Sequence, residues 1–190
     1  MKALTQTILV MSLSLAAAAS MAGTIANSTV NATNASNTSG GLGSTALQNI
    51  GVAEGNGQIR NSTVLVNGAS NTSAGLGSTA RQNIGFASGN GQITNSRVQV
   101  TNARNLSAGI GSSATQQIGF ATGSGRLVNS TVVSNNATNR SMGLGTTATQ
   151  EIGGAANSGV LSNSTVIANG ASNTAAGAFS SATQRVGVAR

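Results

Sequence analysis

The stretch that decides the fold is Ser78 to Ser96, "STARQNIGFASGNGQITNS", which returns nearly unchanged at Ser112 to Ser130 as "SSATQQIGFATGSGRLVNS". Neither copy holds a His or a Cys, and the first holds one charge. The information therefore lies in the repetition. Written in rows that step from Ser78 to Ser112, the chain aligns over five copies without an insertion. Asn-Ser falls at Asn27, Asn61, Asn95, Asn129 and Asn163, and a Gln-x-Ile/Val-Gly phrase starts at Gln48, Gln82, Gln116, Gln150 and Gln184. The columns Ala35, Ala69, Ala103, Ala137, Ala171 and Asn37, Asn71, Asn105, Asn139, Asn173 keep the same step, as do Val30, Val64, Val98, Val132 and Val166. Read this way, residues 27-190 form a repeat domain (27-60, 61-94, 95-128, 129-162, 163-190), preceded by a short lead at 23-26.

Strict register is physical evidence. Loops of globular domains absorb length changes cheaply, whereas a stacked coil that gains one residue misaligns every later row. Helical repeats of this length need apolar stripes at a 3.6 period, but each unit here is rich in Gly and carries runs such as "NSTVLVNG". The internal period is two, so the expected fold is all-β: a β-solenoid of stacked cross-β rungs. Whether each unit makes one rung or two is open at this stage.

Variation down each column assigns the faces. The Val64 column is invariant while its neighbour runs Asn31, Leu65, Gln99, Val133, Ile167, so Val64 points inward and Leu65 outward. The column Ile50, Ile84, Ile118, Ile152, Val186 stays apolar beside Asn49, Asn83, Gln117, Glu151, Arg185. The same parity places the Gln82 column inside with Ile84 and Phe86. Buried amides need partners, and identical Gln side chains stacked about 4.7–4.8 Å apart satisfy one another in a ladder. The Asn71 and Asn61 columns are assigned the same ladder bonding and are placed at corners, where Asn tolerates left-handed backbone. Gly51, Gly85, Gly119, Gly153 and Gly187, together with Gly89 to Gly91, are assigned to turns.

Composition narrows function by exclusion. The chain has no His, Cys, Trp, Tyr or Pro, and its two carboxylates are Glu54 and Glu151. A metal cage, a Cys nucleophile or a carboxylate pair has almost no material, so no catalytic or metal-ligating residue, no cofactor and no enzyme are expected. "GSGRL" and "GNGQI" lack the Lys-Ser/Thr of a phosphate loop and read as turn glycines. The triplets Asn61-Ser62-Thr63 and Asn163-Ser164-Thr165 match glycosylation acceptors, but arise from composition. Eight arginines from Arg60 to Arg190 fall in eight different columns, which avoids stacking like charges. They make the chain basic enough to hold anionic polysaccharide or extracellular DNA non-specifically, without aromatic residues interleaved for base stacking. Glu151 lies one row from Arg185, and the pair is expected to be exposed. With no His in the chain, assembly should be flat between about pH 5 and 8, and a steep midpoint in a dye-binding assay across that range would contradict this.

Residues 1-22, "MKALTQTILVMSLSLAAAASMA", carry one Lys, an apolar stretch and small residues at Ser20 and Ala22. They read as a secretory signal peptide, too short and too interrupted for a membrane anchor. No second apolar span follows in the mature chain. Two functions fit: a structural subunit that self-assembles end to end, or a monomeric surface-binding solenoid, either adhesin or ice-binding. Ice binding needs an unbroken Thr array, and the best column, Thr29, Thr63, Arg97, Thr131, Thr165, is interrupted. Repeat-like sequence begins at "TIANSTV" and runs to "SATQRVGVAR", with no capping block at either end, which favours the first.

The Gln82-Asn83-Ile84-Gly85 phrase and the "IG-x-A-x-G-x-x-Q" run from Ile84 to Gln92, with the leader and the in-register Gly/Asn/Gln/Ala repeats, resemble the secreted functional-amyloid subunits of bacterial biofilms. Fap-type fibre proteins look nearer than curlin-like ones, whose unit is shorter; linkers between Fap-type repeats have no counterpart here. The resemblance implies export through an outer-membrane channel, a related minor nucleator subunit, and homopolymer assembly at the cell surface or in the extracellular matrix.

Overall fold

The computed structural model describes residues 23–190, so the proposed leader lies outside the described residues. Every strand pairs in parallel with its counterpart in the next repeat, and one repeat makes one coil of four strands. The first coil comprises β1 (Thr24–Ala26), β2 (Thr29–Thr33), β3 (Ser36–Gly40) and β4 (Thr45–Ala53). The second repeats them as β5 (Gln58–Arg60), β6 (Thr63–Asn67), β7 (Ser70–Ala74) and β8 (Thr79–Ala87). The third has β9 (Gln92–Thr94), β10 (Arg97–Thr101), β11 (Arg104–Ala108) and β12 (Ser113–Phe120). The fourth has β13 (Arg126–Val128), β14 (Thr131–Asn135), β15 (Thr138–Met142) and β16 (Thr147–Gly153), and the fifth β17 (Val160–Ser162), β18 (Thr165–Asn169), β19 (Ser172–Ala176) and β20 (Ser181–Gly187). Four parallel sheets of five strands result, running β1-β5-β9-β13-β17, β2-β6-β10-β14-β18, β3-β7-β11-β15-β19 and β4-β8-β12-β16-β20. The fold is an all-β solenoid. β1 lies in the stretch read as a lead, yet pairs with β5 in full register. None of the described residues forms a helix long and apolar enough to cross a membrane.

Corners depend on residues that accept positive φ. Asn27, Asn61, Asn95, Asn129 and Asn163 all lie at φ 47–50°, between the first and second strand of each coil. The following Ser locks each corner to the next: the Ser62 N–H donates to Ser96 Oγ (3.3 Å), and Ser62 Oγ donates to the Arg60 carbonyl (2.7 Å). The next corner uses Asn34, Gly68, Asn102, Asn136 and Gly170, a column that draws only on the two residue types most tolerant of the left-handed region.

Three assignments made from the sequence are corrected here. The Asn71 column does not occupy a corner; Asn71 and Asn105 sit inside β7 and β11 and are fully buried. Gly51, Gly85 and Gly119 do not connect strands; they bend β4, β8 and β12 from within, at φ 62–65°, while Gly153 and Gly187 end β16 and β20. Because a left-handed residue breaks the two-residue alternation, Ala87 rather than Phe86 follows Ile84 into the core. Phe86 and Phe120 instead stack on one another apart from the main apolar cluster, with centroids 6.2 Å apart and planes 9° from parallel; Phe86 is half-buried and Phe120 buried.

The core is apolar where the first, second and fourth strands of each coil face one another. There Ile59, Val64, Ile84, Ile93, Val98, Ile118, Leu127, Val132 and Ile152 are wholly buried. Val30 and Val166, in the end coils, pack against this cluster while partly buried. Val186, assigned to the core, is 52% exposed, because it lies in the fifth coil and no strand is stacked beyond it among the described residues.

Candidate functional site: the polar ladders and the end faces

Where the third strand of each coil faces the fourth, the interior is polar. Gln82 Nε2 donates to Gln48 Oε1, Gln116 Nε2 to Gln82 Oε1 and Gln150 Nε2 to Gln116 Oε1, each at 2.6 Å, and Gln184 Nε2 to Gln150 Oε1 at 2.7 Å. Gln82, Gln116 and Gln150 are completely buried. The first four amides also reach across to a carbonyl of the facing sheet or its preceding corner, for example Gln48 to Ala35 and Gln150 to Ala137.

The Asn column mirrors this arrangement from the opposite sheet. Asn37 Nδ2 donates to Asn71 Oδ1 (2.9 Å), Asn71 to Asn105, Asn105 to Asn139 and Asn139 to Asn173 (2.8 Å each). The same nitrogens lie within 3.1 Å of carbonyls in the fourth strands, such as Ala46 and Arg81 for Asn71, and Ala114 and Thr149 for Asn139. Gln thus ties the fourth strand to the third, and Asn ties the third to the fourth. Buried hydroxyls complete the lacing: Ser73 Oγ donates to the Ser44 carbonyl and Ser107 Oγ to the Ser78 carbonyl, both 2.9 Å. Nothing in the face assignment marked these serines, although their once-per-repeat recurrence was the available signal.

The two ladders run in opposite directions. Gln side chains donate toward the N-terminal coil, and Asn side chains toward the C-terminal coil. On the C-terminal face the Gln ladder ends with the Oε1 acceptor of Gln184, and the Asn ladder with the Nδ2 donor of Asn173. On the N-terminal face the corresponding groups are the Nε2 donor of Gln48 and the Oδ1 acceptor of Asn37. Donor faces acceptor if one face is laid on the other. Among the described residues all four sheets end on the same two faces, with β1 to β4 at one and β17 to β20 at the other.

Outside the coil, Glu151 is only 4% exposed, so the column read as solvent-facing is partly covered. Arg185 Nη1 reaches Glu151 Oε1 at 3.0 Å, Arg190 binds the same oxygen, and Gln117 Nε2 donates to Oε2 at 3.0 Å. The ion pair placed by sequence on the surface therefore has one nearly buried partner, because the chain end folds Arg190 over it. Arg60 and Arg126 flank a shallow groove of about 300 Å³ with Gln92, Thr94 and Asn95. Among the described residues no three His, Cys, Asp or Glu side chains cluster.

Fold and ladders together define a parallel β-solenoid repeat protein with a half-polar, side-chain-laddered interior. Comparison with protein families, with curated proteins and with solved structures finds no match to this chain. The functional reading accordingly rests on geometry.

Proposed function

We propose that this chain is a secreted structural subunit that polymerises end to end into extracellular, amyloid-like fibres of a matrix or cell surface. The observation that carries the reading is the pair of opposed ladders ending in complementary groups: Gln184 Oε1 and Asn173 Nδ2 on one face, Gln48 Nε2 and Asn37 Oδ1 on the other. Laid head to tail, the two faces continue both ladders and all four parallel sheets in the register that interior coils use. A row of unpaired strand N–H and C=O groups is a template for pairing, and here the side chains inside it select a copy of the same chain. Export would use the leader and a channel in the outer membrane, and a related minor subunit would nucleate growth.

The test is to incubate the purified protein at micromolar concentration and examine it by electron microscopy and fibre diffraction. Unbranched fibres with a meridional spacing of about 4.7–4.8 Å are expected. A monomer that persists for days in sedimentation would overturn the reading and favour a monomeric surface-binding solenoid.

A further inference from the structure

The first four coils leave five large apolar side chains exposed, and four of them fall in one column: Leu42 (82%), Leu76 (49%), Ile110 (54%) and Leu144 (51%). Each stands at the corner between the third and fourth strands, inside the phrase Gly-Leu-Gly or Gly-Ile-Gly. Both flanking glycines have positive φ, for example Gly75 at 139° and Gly77 at 67°. The corner is also bonded coil to coil, with the Gly43 N–H on the Leu76 carbonyl and the Gly77 N–H on the Ile110 carbonyl, both at 2.6 Å. The apolar row is therefore a fixed ridge parallel to the solenoid axis. The fifth coil carries Ala178 there, followed by Phe179, which is 91% exposed.

Electrostatics point to what covers this ridge. Residues 39–46 and their equivalents 73–80, 107–114, 141–148 and 175–182 contain no charged side chain, although the full chain carries a net charge of +7. The crest of this strip is uncharged, with the exposed Arg81 and Arg140 one residue outside it, so like-charge repulsion between two copies is weakest along the crest itself. A second solenoid also offers apolar side chains at the same one-per-coil rise. These four exposed side chains fall well short of the roughly 800 Å² per partner that a stable interface buries. The contact grows, however, with each molecule added end to end, and summed weak contacts along a polymer give strong association.

We propose that the Leu42–Leu76–Ile110–Leu144 ridge is a lateral seam through which filaments of this chain pair with a second filament of the same chain. This rests on the end-to-end reading given above. The experiment compares the wild type with the combined variant Leu42→Ser, Leu76→Ser, Ile110→Ser, Leu144→Ser, and with the smaller Leu76→Lys, Leu144→Lys. Filament width is read by electron microscopy, and the meridional spacing by diffraction. Paired or bundled wild-type filaments are expected. Both variants should give single filaments of unchanged spacing, and the lysine variant should pair again when about 1 M salt reduces the screening length to roughly 3 Å. Wild-type filaments that are always single, or bundles that survive both variants, would overturn the seam and leave the fibre intact. Absence of any wild-type fibre would instead remove the end-to-end reading, and the seam with it.

Discussion

Gln116→Leu should destabilise the protein by about as much as Gln82→Leu and Gln116→Leu together, roughly 1–3 kcal/mol in each case. The single change removes the donor to Gln82 Oε1 and leaves that oxygen buried and bare, while Gln150 Nε2 keeps the Ala137 carbonyl at 3.1 Å. The double change removes Gln82 as well, and the bare oxygen becomes that of Gln48. One orphaned acceptor exists in either variant, because a ladder is interrupted once however many consecutive rungs are taken out. Neighbouring residues that share a network are expected to depart from additivity, and here the departure has a definite size. Denaturant unfolding below the concentration at which the chain assembles measures it. A double variant costing twice the single would mean that each amide is satisfied independently of its neighbours. Wild-type stability in both would mean that the column faces water.

Gly119→Ala should cost roughly 2–5 kcal/mol, against about 1 kcal/mol for Gly111→Ala. The two glycines share almost the same backbone, φ 65° and 68°, so the left-handed penalty and the gain from a stiffer unfolded chain are common to both. Their surroundings differ. A Cβ on Gly119 would lie 2.6 Å from one methyl carbon of Val132 and closer still to the other, whereas one on Gly111 meets only the Gly77 Cα at 3.9 Å. Val132 is completely buried and has no free direction in which to move. The difference between the two variants is thus the overpacking cost alone. Val132→Ala, harmful by itself, should be less harmful or beneficial when Gly119→Ala is already present, and thermal unfolding of the four proteins closes the cycle. Equal losses for the two glycine variants would show that the strand bend at Gly119 relaxes freely.

Sequence alone determined the period, the parallel in-register stacking and the inward direction of Val64, Ile84 and Gln82. An insertion-free step from each copy to the next is compatible only with rows that sit on one another, and an invariant apolar column beside a variable one marks a buried face in an alternating strand. The tertiary structure decided what parity could not reach. Left-handed backbone at Gly85 shifts the alternation by one, so Phe86 leaves the apolar cluster and Ala87 enters it; the invariant Ala53, Ala87, Ala121, Ala155, Ala189 column beside the variable Phe86 column was the available signal, which strict two-residue parity passes over. An invariant Asn column reads alike at a corner and inside a strand, yet only the in-strand column forms a ladder: among the described residues the Asn61 column supplies left-handed backbone without amide-to-amide bonds, and the facing carbonyls of Ala46 and Arg81 hold Asn71 in the interior. Glu151 is covered by Arg190, a contact between neighbouring coils that a row-by-row comparison does not contain. The exposure of Leu76 was equally hidden, since a leucine repeated once per coil looks like core until the positive φ of Gly75 and Gly77 turns it outward.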